Sequence, residues 1–187
     1  MLAYELKLVR HAARQPQTAM LWLFAALWVV GTPLSVSLAL VPCIVIFPLL
    51  GVIDARTQLL PDVLTLSLLA TGLLLGPIAS GSTYLGSILG AIAGGGIFAA
   101  LLLAYTKITK RDGMGWGDVK LLAALGAWVG LLGLLPLLLA ASLTALLYNY
   151  VTRTPKHARI PFGPFLLLGG WVTLFYQSFF WRFILPH

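Results

Sequence analysis

The segment YLGSILGAIAGGGIFAALLLAYT, residues 84–106, carries no charged side chain and sets the architecture that we expect for the whole chain. A helix of this length and apolarity can cross a bilayer, which takes about 20 apolar residues. Gly94, Gly95 and Gly96 lie near its middle, and small residues allow helix backbones to approach closely in lipid. The segment therefore predicts a membrane-spanning helix that packs tightly against a neighbour.

Comparable apolar runs lie on both sides of this segment. They cover approximately residues 18–31, 34–53, 63–79, 118–152 and 162–184. The run 118–152 is too long for a single helix across a hydrocarbon core of about 30 Å, and Gly130, Gly133 and Pro136 lie near its middle. We therefore divide it into two short helices, which gives about seven transmembrane helices in all.

The composition supports the same interpretation. Of the 187 residues, 60% are apolar and only 9% are charged, whereas soluble domains carry about 25% charged residues. The net charge of +7 comes from basic residues in short clusters between the apolar runs. These clusters lack the basic and aromatic interleaving of a nucleic-acid surface. The predicted fold is an all-α, polytopic membrane helical bundle that binds lipid and no nucleic acid.

The basic residues also predict which side of the membrane each loop faces. With the N-terminus inside, four loops lie on the inner side: 1–17, 54–62, 107–117 and 152–161. These loops and the adjacent helix end hold eleven of the twelve Lys and Arg residues, and only Arg182 lies outside. This is the positive-inside distribution. We therefore predict a basic cytoplasmic arm at 1–17, able to form an interfacial helix, and a membrane-embedded domain at 18–187.

The acidic residues are few, and most of them lie near the same predicted surface. They are Glu5, Asp54, Asp62, Asp112 and Asp118. Glu5 belongs to the polar arm, where we expect it to be solvated. Acids near a membrane span are costly, about 2.5–3.5 kcal/mol at the centre of a helix, and tend to be functional. Asp54 closes the second run and Asp118 opens the fifth, so both carboxylates lie at the same predicted depth.

Two such carboxylates can perform acid–base chemistry if they meet. Close carboxylates share a proton, so that one acts as a base toward water while the other acts as an acid toward a carbonyl oxygen. The alternative is that both are helix-end charges. Asp118 in particular follows Gly117 at a predicted helix start, where an N-cap or first-turn acid is favourable. The two residues by themselves leave both interpretations open.

Three longer segments carry a family resemblance. They are GVIDARTQLLPDVLTL (51–66), GMGWGDVKLLAALGAWVG (113–130) and IPFGPFLLLGG (160–170). In this order they resemble the conserved regions of bacterial type IV prepilin peptidases, which are Gly-x-Gly-Asp intramembrane aspartic peptidases. The resemblance covers roughly residues 18–185. It implies that Asp54 and Asp118 are the catalytic pair.

The resemblance also implies roles for neighbouring residues. Gly115 and Gly117 fall on the signature glycines, where glycine permits close backbone approach and φ values that other residues avoid. We predict that the other charged residues bind substrate or shape the site: Asp62, Asp112 and Lys120.

Each of these has a simpler interpretation. Asp62 resembles the N-cap of the helix that follows it, and Lys120 either tunes local charge or contacts lipid phosphate. The segment 161–164 is expected to shape the start of the last helix, without chemistry.

By resemblance, the substrate is a type IV prepilin or a type II secretion pseudopilin. It is cleaved after a glycine at the end of a short basic leader, at the cytoplasmic face of the inner membrane. Because the inner face is positive, we expect the acids, Asp62 and Asp112 included, to contribute to leader recognition. Partners from pilus or secretion machinery are also implied.

The resemblance extends to cofactors. Larger relatives carry an N-terminal cytoplasmic domain with paired Cys-x-x-Cys motifs and a zinc site, and they N-methylate the new pilin end. This chain has a single cysteine, Cys43, so we expect a short form without that domain and without a metal. No cofactor is expected, apart from S-adenosylmethionine if methylation is retained. The competing functions are a membrane transporter or channel and an inactive scaffold of a pilus assembly system.

Overall fold

The structure is a computed structural model that describes residues 2–13, 15, 18, 20, 22, 34–109, 115–153 and 161–184. These residues form helices and no strand. The helices are α1 (Leu2–Ala13), α2 (Leu34–Thr57), α3 (Asp62–Ser80), α4 (Tyr84–Thr109), α5 (Trp116–Thr152) and α6 (Gly163–Ile184).

The described helices confirm an all-α, multi-pass membrane protein. Among them, α2, α3, α4 and α5 are four that are long and apolar enough to cross a bilayer. The predicted first span, 18–31, lies mostly outside the described residues, and the count of seven is not confirmed.

Helix α5 contains a break at Gly130. The backbone there has φ 72° and ψ 175°, a combination that is open essentially only to glycine. The chain reverses at this point, because Leu125 of the first arm packs on Gly170, while Leu137 of the second arm packs on the adjacent Gly169. The predicted division of 118–152 into two helices is therefore confirmed, with arms at 116–129 and 131–152.

Helices α4 and α5 form the most extensive interface of the bundle. The Cα atoms of Gly94 and Gly95 face Leu122 and Ala123 so closely that a Cβ on Gly94 would lie 2.6 Å from the Leu122 carbonyl oxygen. The prediction of close backbone approach is correct for these two glycines. It is wrong for Gly96, because nothing lies within 4 Å of a Cβ built there.

The first arm of α5 is the centre of the core. Its fully buried residues share one hydrophobic core cluster with buried residues of α2, α3 and α6. The largest are Leu121, Leu122, Leu125 and Trp128. The indole Nε1 of Trp128 donates to the Leu68 carbonyl oxygen of α3 at 2.9 Å. By contrast, Leu132 of the second arm is 89% exposed, as expected for a side chain that faces lipid tails. Asp118 lies in the first turn of this arm, so the buried residues that follow fix its place in the bundle.

Helix α1 confirms the predicted short helix in the N-terminal arm. It packs on the end of α2, where Ala12 joins a small cluster with Leu49, Val52 and Ile53. Glu5 is half-buried and its carboxylate accepts the backbone N–H groups of Asp62 (3.4 Å) and Val63 (3.3 Å). The expectation that Glu5 is solvated is therefore wrong, because its carboxylate caps α3 from another helix.

Candidate active site

The two aspartates of the predicted pair lie near the same end of the bundle, which we call the dyad end. Asp54 lies in the last turn of α2, just before Gln58 ends the helix with φ 53°. Asp118 is the third residue of α5. The two carboxylates interact electrostatically with each other, although 64 positions separate them in the sequence. The structure thus places the two carboxylates within electrostatic range of each other, and their role as a catalytic pair stays a prediction.

The two carboxylates differ in their access to solvent. Asp54 is only 4% exposed, and its Oδ2 has no hydrogen-bond partner among the described residues. Asp118 is half-buried. Oδ2 of Asp54 is therefore buried without a hydrogen-bond partner among the described residues, while the Asp118 side chain stays partly exposed.

The start of α6 supplies a contact that sequence reasoning missed. The backbone N–H of Gly163 lies close to the Asp54 carboxylate. A Cβ at Gly163 would overlap Oδ2 of Asp54. From the sequence, we expect residues 161–164 only to shape the start of the last helix. The one available signal was a glycine placed between Phe162 and Pro164 at a helix start.

The signature glycines shape the start of α5. Gly115 is the N-cap residue, with an ordinary φ of −75° and ψ of 141°, and its carbonyl oxygen accepts the Asp118 N–H at 3.1 Å. The glycines with positive φ among the described residues are Gly81 and Gly130, so the expectation of unusual φ at Gly115 and Gly117 is wrong.

The expectation of close approach is correct at Gly117. A Cβ there would lie 3.1 Å from Cβ and Cδ1 of Leu60. This glycine therefore lets the segment before α3 fold against the start of α5, next to Asp118.

Asp62 and Lys120 form an ion pair with an Nζ–Oδ1 distance of 2.7 Å. Asp62 is not the N-cap that its position suggested, because Pro61 occupies that place and makes no side-chain cap bond. The amino group of Lys120 is paired with a protein carboxylate while its side chain stays 45% exposed, so both interpretations of Lys120, charge tuning and lipid contact, stay predictions. Asp112 lies outside the described residues.

The dyad end can support acid–base chemistry on a substrate. It offers one buried and one accessible carboxylate in electrostatic contact, at the ends of helices where water can enter. In the described part of the chain, no group of three His, Cys, Asp or Glu side chains is arranged to hold a metal ion. We therefore assign the acid–base chemistry to the two aspartates.

The chain is similar to characterised proteins over most of its length. A prepilin leader peptidase/N-methyltransferase of Dickeya chrysanthemi is 41% identical over 148 residues, covering 77% of this chain and 51% of that protein. Proteins of the same name match from Neisseria gonorrhoeae (39% identical, 70% and 46% covered) and Escherichia coli strain K12 (40%, 69% and 59%).

The extent of these matches matters for their interpretation. The chain spans about half the length of the curated relatives it matches. No solved structure matches it significantly. The family model described as the type IV leader peptidase family matches residues 42–150, which is more than half of the chain. The chain therefore belongs to the type IV leader peptidase family.

Proposed function

We propose that this protein is an intramembrane aspartic endopeptidase that removes the basic leader from type IV prepilins or type II secretion pseudopilins. The observation that carries the proposal is the placement of Asp54 and Asp118 within electrostatic range of each other at one end of a membrane bundle. The similar proteins from Neisseria gonorrhoeae and Dickeya chrysanthemi are named prepilin leader peptidase/N-methyltransferase, which supports a peptidase activity here.

The proposed reaction uses one carboxylate in each protonation state. The ionised aspartate takes a proton from water as the water oxygen attacks the scissile carbonyl carbon, and the protonated aspartate gives its proton to the carbonyl oxygen. The resulting gem-diol collapses as the C–N bond breaks: the aspartate that took the water proton gives it to the leaving amine, and the aspartate that is now ionised takes a proton from one gem-diol hydroxyl. Each aspartate has then exchanged one proton, and one water has been consumed. No metal or cofactor enters this cleavage.

The location of the dyad suits such a substrate. A prepilin has a polar leader joined to an apolar helix, and its scissile bond lies at the membrane surface. Asp54 and Asp118 lie at helix ends, beside the basic loops that we assign to the cytoplasmic face of the inner membrane. In this proposal the apolar helix of the substrate packs among the lipid-facing helices. The leader then lies over Asp62, with Asp112 contributing from the adjoining loop.

The test is cleavage of a purified prepilin by the detergent-solubilised protein. We expect Asp54→Asn and Asp118→Asn each to lower the cleavage rate at least about 100-fold, because general acid–base groups contribute about 10²–10⁴-fold. Asn keeps the size of each side chain, so both variants should insert into the membrane normally. Precursor and product are separated by gel electrophoresis.

A variant with retained cleavage would remove that aspartate from the catalytic pair. A parent protein that is folded but inactive on every prepilin tested would favour an inactive scaffold. A transporter is not favoured, since its acids are expected near the middle of the membrane, whereas these lie at helix ends. Incubation with S-adenosylmethionine and mass analysis of the cleaved pilin tests whether N-methylation accompanies cleavage.

A further inference from the structure

The first turn of α6 has one backbone donor to spare. The N–H groups of Phe165 and Leu166 both bond to the Phe162 carbonyl oxygen, each at 3.1 Å. Pro164 has no N–H group. Among the described residues of this turn, the amide of Gly163 is the donor that remains, and Gly163 lies directly beside the Asp54 carboxylate. The turn therefore has one backbone N–H group close to one member of the dyad.

Gly163 is a glycine for a steric reason. It has no positive φ, so an alanine would meet no backbone strain, and alanine favours helix by about 1 kcal/mol over glycine. A Cβ there, however, would overlap Oδ2 of Asp54 and lie 2.8 Å from its Cγ. The Asp54 carboxylate occupies the space that a side chain at position 163 would need.

The contact joins three helices at the dyad. Asp54 ends α2, Gly163 begins α6, and Asp118 belongs to the start of α5. Because Asp54 is 4% exposed, its carboxylate is enclosed by the protein on the side of Gly163. The contact with α6 therefore restricts where the Asp54 carboxylate can lie relative to Asp118.

We infer that Gly163 is a positioning residue, whose amide and bare Cα hold the Asp54 carboxylate in the orientation that faces Asp118. This inference rests on the proposed peptidase function for its kinetic consequence. Its structural part, the contact between Gly163 and the carboxylate, stands apart from any substrate.

The kinetic test is Gly163→Ala in the prepilin cleavage assay. We expect kcat to fall about 100-fold, as for a misplacement of about 1 Å in an active site, with KM unchanged within twofold. Gly51→Ala is the matched control one turn before Asp54, because its Cβ would make an ordinary 3.6 Å contact with Leu167. That control should retain the parent kcat.

A second control separates positioning from packing. Gly169→Ala lies in the same helix, and its Cβ would meet the Leu137 carbonyl oxygen at 2.5 Å. It should lower the thermal midpoint but leave the kcat of the folded protein unchanged. Equal kcat losses in Gly163→Ala and Gly169→Ala, or an unchanged kcat in Gly163→Ala, would overturn the inference.

A double-mutant cycle tests the contact without any substrate. Gly163→Ala should lower the thermal midpoint of the parent protein but not that of Asp54→Ala, where the overlapping carboxylate is gone. The same drop in both backgrounds would show that the contact does not exist. If the parent cleaves no prepilin, the proposed function fails, and this cycle still decides whether Gly163 positions Asp54.

Discussion

Asp54 shows how much a single side chain can depend on distant parts of the chain. Its position in α2 sets its depth along the axis of the bundle. Gly163 limits the space beside its carboxylate, and Asp118 supplies a second carboxylate within electrostatic range. Asp62 is different. It is 45% exposed and pairs with Lys120, which is equally exposed, so its charge is accessible to a substrate but already partly neutralised.

This ion pair leads to a prediction with opposite signs. If Asp62 binds the basic leader, Asp62→Asn should raise KM for prepilin. Lys120→Met should lower KM, because it removes the internal cation that competes for Asp62. Thermal midpoints should hardly move, since exposed ion pairs contribute about 0–1 kcal/mol. Steady-state cleavage kinetics measure both effects, and KM changes of the same sign would exclude this role for Asp62.

The interface between α4 and α5 shows how two helices in lipid obtain close packing. Lipid tails are as apolar as the side chains of these helices, so no hydrophobic driving force brings the two helices together. Close backbone approach and van der Waals contact stabilise their association instead. Gly94 and Gly95 face α5, whereas Gly96, in the same turn, faces open space. The glycine triplet is therefore not uniform, since only part of it forms the contact.

The two ends of the triplet should respond oppositely to the same substitution. Gly94→Ala should lower the free energy of unfolding by about 1–3 kcal/mol, the usual cost of overpacking, because its Cβ would meet backbone at 2.6 Å. Gly96→Ala should be neutral or stabilising by up to about 1 kcal/mol through helix propensity. Circular dichroism during thermal unfolding in detergent measures both, and equal shifts would contradict the assigned interface.

The molecule as a whole depends on the reversal at Gly130. It sends the second arm of α5 back along α6, so that both arms flank the same helix. Gln177 of α6 donates to the Val129 carbonyl oxygen at 3.0 Å, which satisfies a group beside the break. The turn lies beside Ser82, in the segment between α3 and α4.

Gly130→Ala should therefore destabilise the entire bundle. A non-glycine residue at φ 72° and ψ 175° costs about 1–3 kcal/mol, and its Cβ would also lie 3.1 Å from Ser82 Cβ. We expect a lower thermal midpoint and less folded protein in size-exclusion chromatography, with Gly96→Ala as the control. A midpoint equal to that of the parent would argue against the reversal.

Much of this architecture is readable from local properties of the chain. Apolar length and charge gave the helical membrane class, the approximate helix ranges and the division of 118–152. They also placed Asp54 and Asp118 at one end of the bundle. The physical reason is that a bilayer has a single axis: the position of a residue along an apolar helix is its depth, and depth is a property of the sequence around it.

The depth of a residue does not determine which helices lie beside it around that axis. Which helix lies beside Asp54, where the Glu5 carboxylate binds and what Lys120 pairs with all depend on lateral packing between segments far apart in the chain. The same lateral packing separates Gly94 from Gly96, although both have the same local sequence. Side-chain volume and backbone shape select those neighbours, and they act only once the helices are assembled.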